Sequence, residues 1–410
     1  VKKATAVIVA IAAMLAMTPA GAMATEITTI AQNLTTVSTL VSPDGQKIVF
    51  MSSRNTEEAT IPMISVYSAN DGTTKNIDYP NPVNFGIEMT YASSNKFFSF
   101  VSFDAQNSNP NSLNFVKYDA MTVQTVPNVK GNIIKLCTTG NYIVWLENGL
   151  SEKCSVMAKD VENTSDPMIV ASVYGSNASS MSLYAFEYDN VNYVLFDDKS
   201  EKKSAICLYN LKENKLVKLA DSDFVESNPR YQAGRVFFTK STVLDPNYFE
   251  ANLAGGTIQS VSLDGQDTKN VQTFDNTVYP ILISNINNPT NFIFMMLNKN
   301  DYSTVVRKYE IAANSTFDAL KVESGSFVAL APESCLSNNI ICSQMTMRNE
   351  SSLYAYDFIN SKKTVISDTK DIKVFSGIVS GKVAYVAVEL AGATPREKAV
   401  SAIKLMLASF

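Results

Sequence analysis

A pattern of four short strands recurs along this chain every 45 to 52 residues, and that recurrence limits the folds open to it more than any other feature. β-Branched and aromatic runs alternate with Asn, Asp, Gly and Ser clusters, which is how antiparallel strands and their turns read in a sequence. The first run of each group covers Thr36–Pro43, Asn84–Ser93, Asn132–Gly140, Met181–Asp189, Ser227–Arg235, Tyr279–Asn288, Ser326–Ser334 and Asp371–Gly381. Successive starts lie 48, 48, 49, 46, 52, 47 and 45 residues apart. The second runs, among them Lys47–Ser52, Lys96–Phe103, Phe292–Leu297 and Lys382–Leu390, are strongly apolar, as expected of sheets covered on both faces. The third runs close on an aromatic residue or Leu before a polar turn residue, as at Tyr67-Ser68, Tyr118-Asp119 and Tyr356-Asp357. Asn70-Asp71-Gly72 and Asp264-Gly265 then supply hairpin turns that tolerate positive φ.

A four-stranded meander of this length is the unit of a β-propeller, so the expected class is all-β, with eight four-stranded antiparallel blades. The eighth group lacks a fourth strand, and Glu26–Gln32, which precedes the first group, is expected to supply it and so remove both sheet edges. The alternative is a seven-bladed ring with a C-terminal helix at 395–408, supported by the capping-box start Thr394-Pro395-Arg396-Glu397. The strand reading is favoured because every other group places a polar loop between its second and third strands, and Ala391–Lys398 fits that slot.

The segment Leu40-Val41-Ser42-Pro43-Asp44-Gly45-Gln46-Lys47-Ile48-Val49-Phe50, followed by Ile64-Ser65-Val66-Tyr67 and Asp71-Gly72, resembles the WD40-like repeat of TolB-type β-propellers. A degenerate second copy runs from Ser227-Asn228-Pro229-Arg230-Tyr231 to Phe238, and the remaining groups keep only the spacing. The motif is a turn device: Pro restricts φ, Asp caps the turn and Gly takes the positive φ. It therefore implies a fold and carries no catalytic residue. TolB has an additional N-terminal α/β domain and the peptidases with TolB-like propellers carry a hydrolase domain. Neither has a counterpart in this reading, so the resemblance implies neither family's function.

Residues 1–24 read as a secretory signal, with Lys2 and Lys3, an apolar run from Ala4 to Met17, and small residues ending in Ala22-Met23-Ala24. Residues 25–410 are then one propeller domain, exported to the periplasm, the cell surface or the medium, with no membrane span after cleavage. Without the two leader lysines, 32 basic side chains face 39 acidic ones. Neither that balance nor any local basic cluster suits phosphate binding, which excludes nucleic acid as a partner. Sequons at Asn33, Asn163, Asn177, Asn314 and Asn349 mark surface positions. Five cysteines are too few to frame a fold of this size. Cys335 and Cys342 flank a polar stretch and are the candidate disulfide, on two arms of one hairpin; Cys137, Cys154 and Cys207 sit in strand-like runs and read as small core residues.

Histidine is absent from the chain, which removes Ser-His-Asp and Cys-His catalysis and His-metal sites. No metal site and no cofactor is expected: there is no nucleotide-binding motif, no spaced-carboxylate calcium loop, and a single tryptophan, Trp145, where quinone-dependent propellers use many. The longest connection of the repeat, 241–256, offers Asp245, Tyr248, Phe249 and Glu250 as candidate binding residues, with local packing as the competing reading. The expectation is an exported, non-catalytic module that binds a protein or glycan at the cell envelope. The alternatives are a structural subunit of a surface layer, with self-association, and a carboxylate-dependent glycosidase or lyase, which needs a central pocket and two suitably spaced acids.

Overall fold

The apolar second strands are buried because each is covered on both faces by neighbouring sheets: Ile48, Val49 and Phe50, or Phe292, Ile293 and Phe294, are at most 1% exposed. In this computed structural model the described residues are 26–56, 60–79, 91–103, 111–148, 153–174, 181–199, 204–243, 253–284, 289–322, 326–329, 335–336, 338–346, 351–369, 371–391 and 399–409. Among them there are strands and turns and no helix. The leader read at residues 1–24 lies outside the described residues.

The strands form eight blades in chain order. The first is Leu34–Val41, Lys47–Asn55, Thr60–Ser68 and Thr73–Asp78, each paired antiparallel with the next. The following blades lie within 91–125, 132–174, 183–220, 225–274, 278–322 and 326–367. The eighth is Ile372–Val379, Lys382–Ala391 and Ala399–Ser409, and its fourth strand is Glu26–Ala31, with Glu26 opposite Ser409 and Thr29 opposite Met406. The C-terminal segment is thus a strand, and the seven-bladed alternative with a helical tail is excluded.

Packing confirms a closed ring. Eight hydrophobic clusters of described residues each join two successive blades, and Val49, Val66, Phe98 and Val116, for example, join the first and second. One cluster sets Leu34, Ile48 and Phe50 of the first blade against Val379, Val386 and Leu405 of the eighth. Burial of this kind contributes about 25 cal/mol per Å² of apolar surface, and here it is spread evenly around the ring.

The Ser-Pro-Asp-Gly segment forms the turn its resemblance implied. Ser42 Oγ accepts from the backbone N–H of Lys47 at 2.9 Å, Gly45 N donates to the Ser42 carbonyl at 2.8 Å, and Asp44 Oδ1 accepts from Gln46 N at 3.0 Å. Such local side-chain to backbone bonds compete successfully with ladder pairing and end the strand. In the degenerate copy the turn is Ala233-Gly234, and Asn228 bulges its inner strand with φ 55°.

One pair of blades is joined more closely than the rest. Ser204 in the third strand of the fourth blade forms a parallel bridge with Val225 at the start of the fifth, and the Ser204 hydroxyl donates to the Glu226 carbonyl. The hairpin expected around Cys335 and Cys342 is present, with Cys335–Leu336 paired to Asn339–Thr346. Its register sets Cys335 opposite Ile340 and Cys342 opposite Tyr354. The two cysteines thus lie on adjacent strands of this hairpin, and the Cys335 side chain lies outside the described residues.

Candidate functional site

All eight inner strands run in the same direction around the ring, so the turns joining first to second strands emerge at one end. A cavity of about 750 Å³ opens there, lined by those turns from the first to the sixth blade, from Pro43 to Pro289. That volume lies within the range of small-ligand sites.

Its aromatic wall comes from the fourth and fifth blades. In the inner strand Leu183–Tyr188 side chains alternate across the sheet. Leu183 and Ala185 pack toward the third blade, while Tyr184 and Phe186 pack toward the fifth. The alternation places Tyr188 with the aromatic set and Glu187 on the other side. The Phe186 and Tyr231 rings stack face to face, centroids 3.9 Å apart and planes within 5°, and Tyr193 stacks on Phe186 at 5.3 Å. Tyr188 tilts toward Tyr231 at 5.9 Å and remains 45% exposed, an aromatic face presented at the mouth. Offset and stacked pairs of this kind are worth about 0.5–1.5 kcal/mol beyond area burial. Burial pushes the Tyr231 hydroxyl pKa up, although the Gly234 N–H that donates to it at 3.1 Å pulls it down. Burial raises Tyr193 as well, helped by the nearby Glu213 and Asp189.

Polar groups tie the turns around the cavity to one another. Lys96 Nζ donates to Asn141 Oδ1 at 2.8 Å, tying the turns of the second and third blades, and Thr139 Oγ1 donates to Asn192 Oδ1 at 2.9 Å, tying the third and fourth. Asp44 N donates to Asn95 Oδ1 at 2.9 Å and Ser380 N to the Gly45 carbonyl at 3.0 Å, extending the lacing through the first blade to the eighth. Among the described lining residues, Lys96 is the one ammonium and Glu187 the one carboxylate. Among the described residues no three His, Cys, Asp or Glu side chains are grouped to hold a metal ion.

The candidate residues Asp245, Tyr248, Phe249 and Glu250 lie outside the described residues. The wall was not singled out in the sequence, although Tyr-x-Phe-x-Tyr at period two beside a turn was a signal for it.

No family model matches the chain, and no curated protein does. Solved structures do. A prolyl endopeptidase matches with TM-score 0.54 at 11% identity, over 88% of this chain and 55% of that one, so this chain spans about half its length. An oligogalacturonate lyase from Vibrio parahaemolyticus matches with TM-score 0.52 at 9% identity, over 89% of this chain and 98% of that one. The WD40 domain of SCAP from fission yeast matches with TM-score 0.53 at 11% identity, over 94% and 98%. The chain shares the β-propeller fold of these structures, and at these identities the likeness concerns fold alone. These matches overturn the expectation of a non-catalytic binding module. That expectation took a propeller without histidine to be a chain without a reaction, yet the fold recurs in enzymes, in one of them over nearly the whole chain.

Proposed function

We propose that the protein is a lyase that cleaves an acidic oligosaccharide by β-elimination in the cavity at the turn end of the channel. The observation that carries this reading is the composition of that cavity: a tyrosine-rich wall on the fourth and fifth blades, with one ammonium and one carboxylate lining the same space. Flat aromatic faces with polar rims suit sugar rings, which present apolar C–H faces and polar edges. Hydrolysis by the usual route requires two carboxyl groups flanking the scissile bond, and the described lining supplies one. Elimination asks for less. A cation must neutralise the uronate carboxylate so that the adjacent C5 proton becomes acidic, a base must take that proton, and an acid must protonate the leaving oxygen.

Lys96 is assigned the first role, with its ammonium oriented by Asn141. Glu187 takes the C5 proton, the electron pair of that bond forms the C4–C5 double bond, and the C4–O bond breaks. The leaving oxygen takes a proton from the Tyr188 hydroxyl, and solvent returns the transferred protons. The likeness in fold to an oligogalacturonate lyase supports the same substrate class, and the leader-like segment at 1–24 supports an extracytoplasmic site of action.

The test is incubation of the purified protein with polygalacturonate, alginate and a neutral glucan, following both the ultraviolet absorbance of the unsaturated product and new reducing ends. The expected result is unsaturated product from an acidic polymer alone, with Lys96→Ala lowering kcat/KM about 10²-fold, as for removal of one charge-stabilising donor, and Glu187→Gln abolishing it. Reducing ends without unsaturation, or no cleavage of either acidic polymer, would refute the reading.

A further inference from the structure

The fourth and fifth blades carry the aromatic wall, and the buried carboxylate of Asp197 bridges their inner strands. Asp197 is inaccessible to solvent. Its Oδ1 accepts from the backbone N–H of Ser182, immediately before the strand Leu183–Tyr188. Its Oδ2 accepts from the backbone N–H of Asn228 at 3.2 Å, within the strand Val225–Gln232. The Ser182 hydroxyl closes the loop by donating to Asn228 Oδ1 at 3.3 Å, and Lys199 Nζ lies 4.0 Å from Oδ2. The two strands so joined are those that bear Phe186 and Tyr231.

We propose that Asp197 is a positioning residue: it sets the inner strands of the fourth and fifth blades against each other, and thereby the Phe186–Tyr231 stack that forms the wall of the cavity. Phe186 lies four residues beyond Ser182 and Tyr231 three beyond Asn228, about 10–13 Å along extended strands. Strands held in a sheet transmit a shift at one end to the other, and a face-to-face contact at 3.9 Å has little tolerance for one. The chemistry also singles out a carboxylate. Two N–H donors converge on two different oxygens, so an amide at this position satisfies one and turns an NH2 group toward the other. Asn228 adds a second requirement, since its φ of 55° is a conformation asparagine adopts more readily than most residues. The effect of Asp197 on turnover rests on the lyase reading, whereas its effect on the wall does not.

The experiment compares wild type, Asp197→Asn, Phe186→Leu and the exposed-turn control Asp71→Asn by near-ultraviolet circular dichroism and by KM and kcat on oligogalacturonate. Phe186→Leu removes the stack directly and defines its spectral signature. Asp197→Asn is expected to shift the spectrum toward that of Phe186→Leu and to raise KM about tenfold with kcat little changed, the mark of lost uniform binding; Asp71→Asn is expected to match wild type. A folded Asp197→Asn protein with the wild-type spectrum overturns the proposal, as does one that is destabilised yet keeps the wild-type spectrum and KM. If Asp197→Asn does not fold, Ser182→Ala, which removes only the hydroxyl bond to Asn228, decides the matter: a smaller shift in the same direction supports the proposal and none overturns it. Absence of turnover in wild type would refute the lyase reading, while the spectral comparison would still decide the role of Asp197.

Discussion

Replacing Gly140 by alanine tests whether the turns around the cavity are locked to one another or merely adjacent. Gly140 has φ 52° in the turn of the third blade, and a Cβ there would lie 2.6 Å from Asn192 Oδ1. Two costs follow. The left-handed conformation costs an L-residue about 1–2 kcal/mol. Asn192 must also move, and its Oδ1 is the acceptor for the buried Thr139 hydroxyl; a buried donor left without a partner costs about 1–3 kcal/mol. The sum is about 2–5 kcal/mol. Gly72 is the internal control: its φ is 69°, and a Cβ would meet nothing within 4 Å, so Gly72→Ala carries only the backbone cost of about 1–2 kcal/mol. Urea unfolding of the two variants beside wild type isolates the inter-blade contact, which should appear as a further loss of about 1–3 kcal/mol for Gly140→Ala. Equal losses in the two variants would refute the locking argument.

Three other outcomes follow from the packing and the turns. Phe237→Ala empties a fully buried site where the ring stacks on Phe292 at 3.9 Å across the fifth and sixth blades, and should cost about 3–5 kcal/mol in chemical denaturation. Removal of residues 26–32 leaves Ala399–Ser409 as an unpaired edge beside the first blade; faster proteolysis and self-association on size exclusion are expected, and an unchanged unfolding midpoint would exclude a closing role. Turn hydrogen bonds from Ser262 and Gln266 to Asp264, and from Thr73 to Asp71, hold these carboxyls below their usual range. A folded-state pKa below the unfolded one contributes stability above the unfolded value and loses it as pH falls through the folded value. Stability should therefore decline as pH drops below about 3.8, and Asp71→Asn with Asp264→Asn should flatten that decline.

The repeat was legible because its parts are local. Turn residues such as Pro43-Asp44-Gly45 act within four positions, and an apolar run such as Phe292-Ile293-Phe294 signals burial on both faces without reference to its neighbours. The closing strand was legible for the same reason: the eighth group lacked a strand and Glu26–Ala31 had none to pair with in its own blade. Function was less accessible. The absence of histidine does not by itself exclude a reaction, because lysine, glutamate and tyrosine can also move protons. The length of the 241–256 connection is visible in a sequence, whereas the convergence of turns from six blades on one cavity is not.

By itself, then, the chain's order of residues determined the length of the repeat, its turns and a candidate segment to close the ring, since strand periodicity and turn chemistry are short-range properties; the pairing of Glu26–Ala31 with Ala399–Ser409 decided for eight blades over seven. The tertiary structure alone decided that Lys96, Glu187, Tyr188 and Tyr231 line one cavity, and that one carboxylate spans the two strands behind its wall. Those juxtapositions arise from the rotation accumulated between successive packed blades, a property of the closed ring that no local stretch of residues contains.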